Sequence, residues 1–449
     1  MTQASLNDES TSTGVYPSAA AAWYATIVLT VAYTFSFVDR QVLNLLVEPI
    51  RADLGLSDTS ISFLQGLAFV IPYVLMSVPL GRLVDKFNRV VVLVAGVGVW
   101  SVTTFACGMA SNYAQLLVAR MGVGVGEASV TPAAWSLLAD YFPPERLARP
   151  VSFYLMGPYL GGGLALIGGA YVIDFVGSSG AIELPVLGQV AAWQFTFMAV
   201  ALPGIAIMLL LFSMPQPTRK NVNPADPVAA PSWGEVLRFV RSEYRIYLAV
   251  LLGVPFLVVI LYGLQGWVPT IMVRVYGWDL ADAGRIYGTL ALVCGSAGVL
   301  SGPVLGRWLE ARGHADYPLR VGVIASVAIM LSMILLPWAD SGEMALVCIG
   351  LASYFVTLPL ALMTYVTQMV TPANMRGVLA GTYVVGTNVL GLGLGPTLVA
   401  GTTDFILADA NQVHIALTMV SLAVAPIALV TLASGMRALG DWHLRNLGA

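Results

Sequence analysis

Four ionisable side chains stand where an apolar membrane span tolerates them least: Asp39 and Arg40 in one greasy run, Arg120 and Glu127 in another. A charge at the bilayer centre costs ~2.5–3.5 kcal/mol on insertion scales, so such residues are retained when they pair or do chemistry. Arg120 and Glu127 are spaced to share one helical face, about 10 Å apart along the axis, with Gly124 between them leaving open space. Counted from the ends of their runs near Leu46 and Tyr113, Asp39 and Arg120 fall at the same depth, and Glu127 lies about two turns deeper.

Two chemistries fit this spacing. One is a static ion pair, Asp39 with Arg120, tying two helices together. The other is proton carriage. Burial and a neighbouring arginine act in opposite directions on a carboxyl group's hold on its proton, so an arginine moving between two carboxylates exchanges protons with conformation. Glu127, with no fixed cation at its own level, is the expected carrier, and Asp39 the expected arginine partner. Arg40 points about 100° away from Asp39 and reaches either an anionic substrate group or a backbone carbonyl.

The elements that position these residues are membrane spans. The chain of 449 residues is 58% hydrophobic and 10% charged, whereas a soluble domain carries about 25% charged residues. Twelve apolar runs are long enough to cross a bilayer, at roughly 22–46, 60–83, 90–110, 113–140, 149–175, 190–213, 244–274, 283–308, 319–338, 343–370, 376–403 and 412–436. The expected organisation is a disordered tail (1–18), a six-helix half (19–213), a polar linker (214–243), a second six-helix half (244–436) and a tail (437–449). Pro215, Pro217, Pro224, Pro227 and Pro231 keep the start of the linker irregular. From Trp233 to Arg245 apolar and charged residues alternate as in an interfacial helix.

Cations set the orientation. With the N-terminus in the cytoplasm, Arg51, Arg274 and Arg285 face outward; apart from Arg40 and Arg120 inside spans, the other Lys and Arg residues face inward. Both termini are then expected in the cytoplasm, with the chain integral to the plasma (inner) membrane. The Ser/Thr-rich start without Lys or Arg does not read as a cleavable signal.

The halves repeat each other. Gly81-Arg82-Leu83-Val84-Asp85-Lys86-Phe87-Asn88-Arg89 is echoed by Gly306-Arg307-Trp308-Leu309-Glu310-Ala311-Arg312-Gly313. Asp174-Phe175 and Asp404-Phe405 each follow a glycine-dense run, which fits tight packing or packing that re-forms as the halves rock. The second half has no charge well inside a span. It offers Tyr262, Gln265, Trp267, Tyr354, Phe355, Tyr365, Tyr383 and Asn388, as bundle packing or as the apolar wall of a pocket. With Tyr33, Phe37, Arg40, Gln65, Arg120 and Tyr159 they form the expected substrate cavity, suited to an amphipathic or lipid ligand with its head near the arginines.

Other classes find little support. A net charge of −3 without a basic cluster gives no nucleic-acid surface. His314, His414 and His443 lie far apart, Cys107, Cys294 and Cys348 fall inside apolar runs, and neither a G-x-S-x-G nor a P-loop motif occurs. Gly122, Gly124 and Gly126 resemble half a dinucleotide fingerprint but sit in mid-span. The expectation is a monomer, not an enzyme, with no cofactor, driven by a proton gradient.

These residues resemble the major facilitator superfamily. Gly81 to Arg89 is similar to its loop motif G-x-x-x-D-(R/K)-x-G-R, with Asn88 for the second glycine, a replacement that left-handed backbone tolerates. Arg120-x-x-x-Gly124-x-Gly126 resembles its proton motif on the fourth helix, and Gly157-Pro158-x-x-Gly161-Gly162 the antiporter motif on the fifth. Phe37-Val38-Asp39-Arg40-Gln41 and Gly124-Val125-Gly126-Glu127-Ala128-Ser129 look like the Spinster branch, and the short loops look bacterial. The resemblance implies an all-α fold of twelve helices in two pseudo-symmetric halves, with Asp39, Arg120 and Glu127 as proton and substrate residues. It implies cargo such as a lysophospholipid or sphingolipid, with drugs or small organic anions as the alternative. It also implies an inner gate of Gly81, Asp85, Arg89, Asp140, Arg149, Glu310 and Arg376, in which Asp85 meets the start of the eleventh helix in the outward-open state.

Overall fold

The computed structural model describes residues 16–143, 146–177, 181–185, 188–217, 232–372 and 374–446. The first half begins with spans Ala19–Asn44, Asp58–Lys86 and Arg89–Gly108. A fourth runs in two pieces, Tyr113–Glu127 and Val130–Tyr141, and Arg149–Val176 and Ala192–Phe212 follow as fifth and sixth. The second half comprises Tyr244–Arg274, Leu280–Glu310, Tyr317–Trp338, Gly342–Val370, Arg376–Leu407 and Ala410–Asn446, the seventh to twelfth. The last helix therefore continues past the end expected at 436, as a polar extension with His443 and Arg445 in its final turn.

Local chemistry sets the ends. Ser18 accepts from Ala21 N and Ser57 from Ser60 N, each satisfying an N–H that a helix start leaves orphaned. Asn88 does the same for Val90 and Val91, at 3.0 and 3.2 Å. Its φ is −63°, so this residue caps the third span; the left-handed backbone anticipated there is not used. The fourth span breaks after Glu127 because Pro132 has no N–H to return to the Ala128 carbonyl four residues back. The linker helix is Trp233–Ser242, closed by a capping box between Ser232 and Glu235. Pro224, Pro227 and Pro231, and most of the N-terminal tail, lie outside the described residues. One element was not anticipated: a hairpin of Ala181–Leu184 with Gly188–Ala191 between the fifth and sixth spans.

The halves meet along the fifth and eighth spans, the second and eleventh, and the tips of the first and seventh. Close approach needs glycine at Gly66, where an added Cβ would lie 2.4 Å from the Leu392 carbonyl oxygen and 3.0 Å from that of Gly393. A stretch of π-helix, Thr387–Leu394, forms the eleventh span's side of that contact.

The two ends of the bundle differ. At the end bearing Arg274 the halves are clamped. Arg274 donates to Asp58 Oδ2 at 2.7 Å and to the Ala410 carbonyl at 2.8 Å, and pairs with Glu48. Thr59 donates through its backbone N and its hydroxyl to Asp404 Oδ2, at 2.8 and 2.7 Å. Arg285 pairs with Asp174, linking the eighth span to the fifth. At the other end, rich in arginine, Arg82, Asp85, Arg149, Glu310 and Arg376 are exposed. A Cβ on Gly81, Gly377 or Gly381 would meet nothing within 4 Å. This conformation is closed at the Arg274 end and parted at the arginine-rich end.

Candidate functional site: a buried Arg40–Glu127 pair

The first span carries Ser36 and Arg40 one helical turn apart, on a face turned to the fourth span. Ser36 Oγ and Arg40 Nη2 each donate to Glu127 Oε2 at 2.7 Å. The pair is shut away from solvent, with side-chain exposure of 4% for Arg40 and 0% for Glu127. The Arg40 guanidinium also lies 4.3 Å from the ring centres of both Phe37 and Phe69, and 5.5 Å from that of Tyr73. Two aromatic faces and one carboxylate thus replace the water this cation gave up.

This arrangement corrects three expectations. Glu127 does have a cation at its own level. Arg40 reaches Glu127 directly. Arg120, fully buried, pairs with no carboxylate among the described residues: it donates to the carbonyls of Leu64, Asp39 and Arg40 at 3.3, 3.2 and 3.5 Å. It therefore holds main chain of the first and second spans where the first tightens into the 3₁₀ turn Val42–Asn44. The arginine fork suits carbonyls presented by such a turn. The Asp39 carboxylate accepts from Thr104 Oγ1 at 3.1 Å instead. Its other oxygen, and Glu127 Oε1, have no hydrogen-bond partner among the described residues.

Starting at the residue after Arg40, four carboxamides, closed by the Gly266 carbonyl, form a polar ring across the halves. Gln41 Nε2 donates to Gln265 Oε1 at 3.0 Å, and Asn44 donates to Gln41. Gln65 Nε2 donates to Asn44 Oδ1 at 3.2 Å and to the Gly266 carbonyl at 3.0 Å. Gln65, anticipated as cavity lining, is thereby part of a clasp under the Arg274 clamp.

The other expected cavity residues divide. Tyr33 stacks on Tyr154 with ring centres 4.5 Å apart, and Phe37 meets Tyr33 edge-on at 5.4 Å. Tyr33, Phe37, Tyr73, Tyr159, Tyr262 and Tyr383 are part-exposed. Trp267 does not line a cavity: it is fully buried and its indole N donates to the Pro396 carbonyl at 3.0 Å, fastening the seventh span to the eleventh. Tyr354 shares a hydrogen with Ser301 at 2.7 Å, and Asn388 donates to the Val384 carbonyl at 2.8 Å. Tyr365 is exposed at 45%.

Among the expected inner-gate residues, Arg89 pairs with Asp140 and donates to the Ser136 hydroxyl and to the Ser136 and Pro217 carbonyls, each at 3.1 Å. Arg149, expected beside Asp140, is exposed. Arg376 donates through Nε to the Thr371 carbonyl at 3.1 Å. Asp140 is thus held by Arg89.

Sequence reasoning missed Ser36, Phe69 and Thr104 around the charges, and Glu48, Asp58 and Asn44 in the clamp and clasp. Spacing could have pointed to Ser36, one turn before Arg40. Nothing local pairs Arg274 with Asp58 across 216 residues.

Buried charges at the centre of two packed helical halves, clamped at one end and parted at the other, define a secondary transporter. The chain belongs to the Major Facilitator Superfamily, whose family profile matches residues 29–396; it is a transporter and not an enzyme. It is 28% identical over 313 residues to an MFS-type efflux pump of Mycolicibacterium smegmatis, covering 69% of this chain and 67% of that one. It is 24% identical to protein spinster homolog 3 of Danio rerio, covering 85% of this chain and 77% of that one. Its fold is similar to the crystal structure of a bacterial homologue of the human lysosomal transporter Spinster, inward-facing and unoccupied. The TM-score is 0.79 and the identity 24%, covering 94% of this chain and 98% of that one.

Proposed function

We propose that the protein is a proton-coupled transporter that moves a lysophospholipid- or sphingolipid-like amphiphile by alternating access. The observation that carries this is the Arg40–Glu127 pair between Phe37 and Phe69. A buried arginine whose counter-ion is a single carboxylate is released when that carboxylate takes a proton, and the freed guanidinium is a receptor for an anionic head group. Apolar rings around it suit the chain of an amphiphile. Glu127 is the proton carrier, Asp39 a second protonation site, and Arg120 the residue that keeps the tip of the first span in place for both.

In this reading residues 19–213 and 244–436 rock as two halves. The arginine-rich end and both termini face the cytoplasm, in the inner membrane, in accord with the distribution of cations. The protein acts as a monomer. The conformation described above is then the inward-open one, and Asp85, Asp140, Arg149 and Arg376 assemble in the other state.

Export of a drug or small organic anion is the second reading, favoured by the similarity to an efflux pump. Proteoliposomes loaded with a small panel of lysolipids and drugs, assayed at two pH values, separate the two. Lysolipid movement that follows the pH gradient is expected; movement of drug without lysolipid would reverse the order.

A further inference from the structure

A second site lies away from the buried charges, at the arginine-rich end. The amphipathic helix Trp233–Ser242, the turn joining the tenth and eleventh spans and the end of the twelfth enclose a cleft of about 500 Å³, lined by Phe239, Glu243, Thr371, Arg376, Trp442 and Arg445 among others. We propose that this cleft binds the phosphate of an anionic membrane lipid.

Charge, depth and shape support it. Arg376 is exposed, with its stem held by the bond from Nε to Thr371. Arg445, whose side chain is 63% exposed, reaches Glu243 only at 3.4 Å. A pair that long and that wet contributes little, so Arg445 can exchange Glu243 for a phosphate, which accepts from two arginines at once. Glu243 remains in the wall and tempers the charge, favouring a monoanionic phosphodiester. The cleft lies at the ends of the spans, beside the amphipathic linker helix, where head groups are expected. Trp442 stands in the cleft wall, and Trp233 and Tyr244 are exposed at the start of the amphipathic helix and just past its end, aromatic residues of the kind enriched at membrane interfaces. Leu444, 66% exposed and next to Arg445, offers an acyl chain a surface that free phosphate would not use. Arg238 and Arg241, exposed on the same helix, add attraction to an anionic leaflet.

The test uses the purified full-length chain in detergent. Native mass spectrometry compares retention of phosphatidylglycerol with that of phosphatidylcholine, and brominated phosphatidylglycerol serves as a tryptophan quencher. Preferential retention of phosphatidylglycerol is expected, with a quenched component that disappears in Trp442→Phe. Arg376→Gln and Arg445→Gln should each lower retention about fivefold. Equal retention of both lipids, or undiminished retention in the double arginine variant eluting as a folded species, would overturn the proposal. Displacement of the lipid by millimolar inorganic phosphate would assign the cleft to a free anion and overturn it equally.

Discussion

Gln41 donates to Gln265 across the two halves at 3.0 Å, one residue beyond Arg40, which holds Glu127. Arg40, which the proposed function releases when Glu127 takes a proton, and Gln41, which clasps the halves, are therefore consecutive on one helix tip, where α-helix tightens to 3₁₀. In that reading, a shift of Arg40 on release from Glu127 is passed to Gln41. Gln41→Leu removes the clasp without touching the charge pair. It should lower the fraction of molecules closed at the Arg274 end several-fold, read as faster labelling, by an impermeant thiol reagent, of a cysteine placed at Thr59. Unchanged labelling would uncouple the two residues.

Glu127→Gln keeps an acceptor for Ser36 and removes the charge that holds Arg40. Movement driven by a pH gradient should be lost, while counterflow of cargo at equal pH persists. Gradient-driven transport at the wild-type rate would remove Glu127 from the proton path.

Arg120→Ala leaves three buried carbonyls without their donor, at about 1–3 kcal/mol for each unsatisfied group as an upper range. A clear fall in melting temperature in detergent is expected along with loss of transport. Arg120→Lys should recover little of either, because one ammonium cannot reproduce the planar fork across three acceptors.

Gly66→Val places a side chain against backbone that cannot withdraw, with the Leu392 oxygen 2.4 Å from the new Cβ. The clamped end should be propped apart and transport stalled, with the protein still folded in detergent. Arg274→Gln opens the same end by a different route, since it leaves Asp58 and Glu48 without the cation that joins them to the second half. In both variants the Thr59 cysteine should label faster than in the parent.

The cap of the amphipathic helix gives a pH-dependent expectation. Hydrogen bonds from the Ser232 backbone and hydroxyl hold the Glu235 carboxyl below its ordinary value. A depressed acid contributes stability above its unfolded value and loses it as pH falls through the folded one. Hydrogen exchange across residues 232–242 should therefore stay slow at neutral pH and accelerate once the pH drops below the usual glutamate range. Glu235→Gln should flatten that dependence, and Ser232→Ala should speed exchange at every pH by about the tenfold that a lost cap implies.

Much of the architecture was legible in the order of residues. Apolar length alone marks a span, because a backbone in hydrocarbon must satisfy its own hydrogen bonds as helix. The twelve runs were therefore found, and the buried charges at Asp39, Arg40, Arg120 and Glu127 stood out by their cost. Which charge meets which was not legible. Arg120 and Arg40 present the same cation to a reader of sequence. Only packing turned Arg40 between Phe37 and Phe69 onto Glu127 and left Arg120 to carbonyls exposed by a 3₁₀ turn. The clamp of Arg274 on Glu48 and Asp58, and the ring of Gln41, Asn44, Gln65 and Gln265, likewise arise where distant spans meet. Helical periodicity fixes what faces a neighbour, but the identity of that neighbour, and which end of the bundle is shut, are set by how the two halves dock.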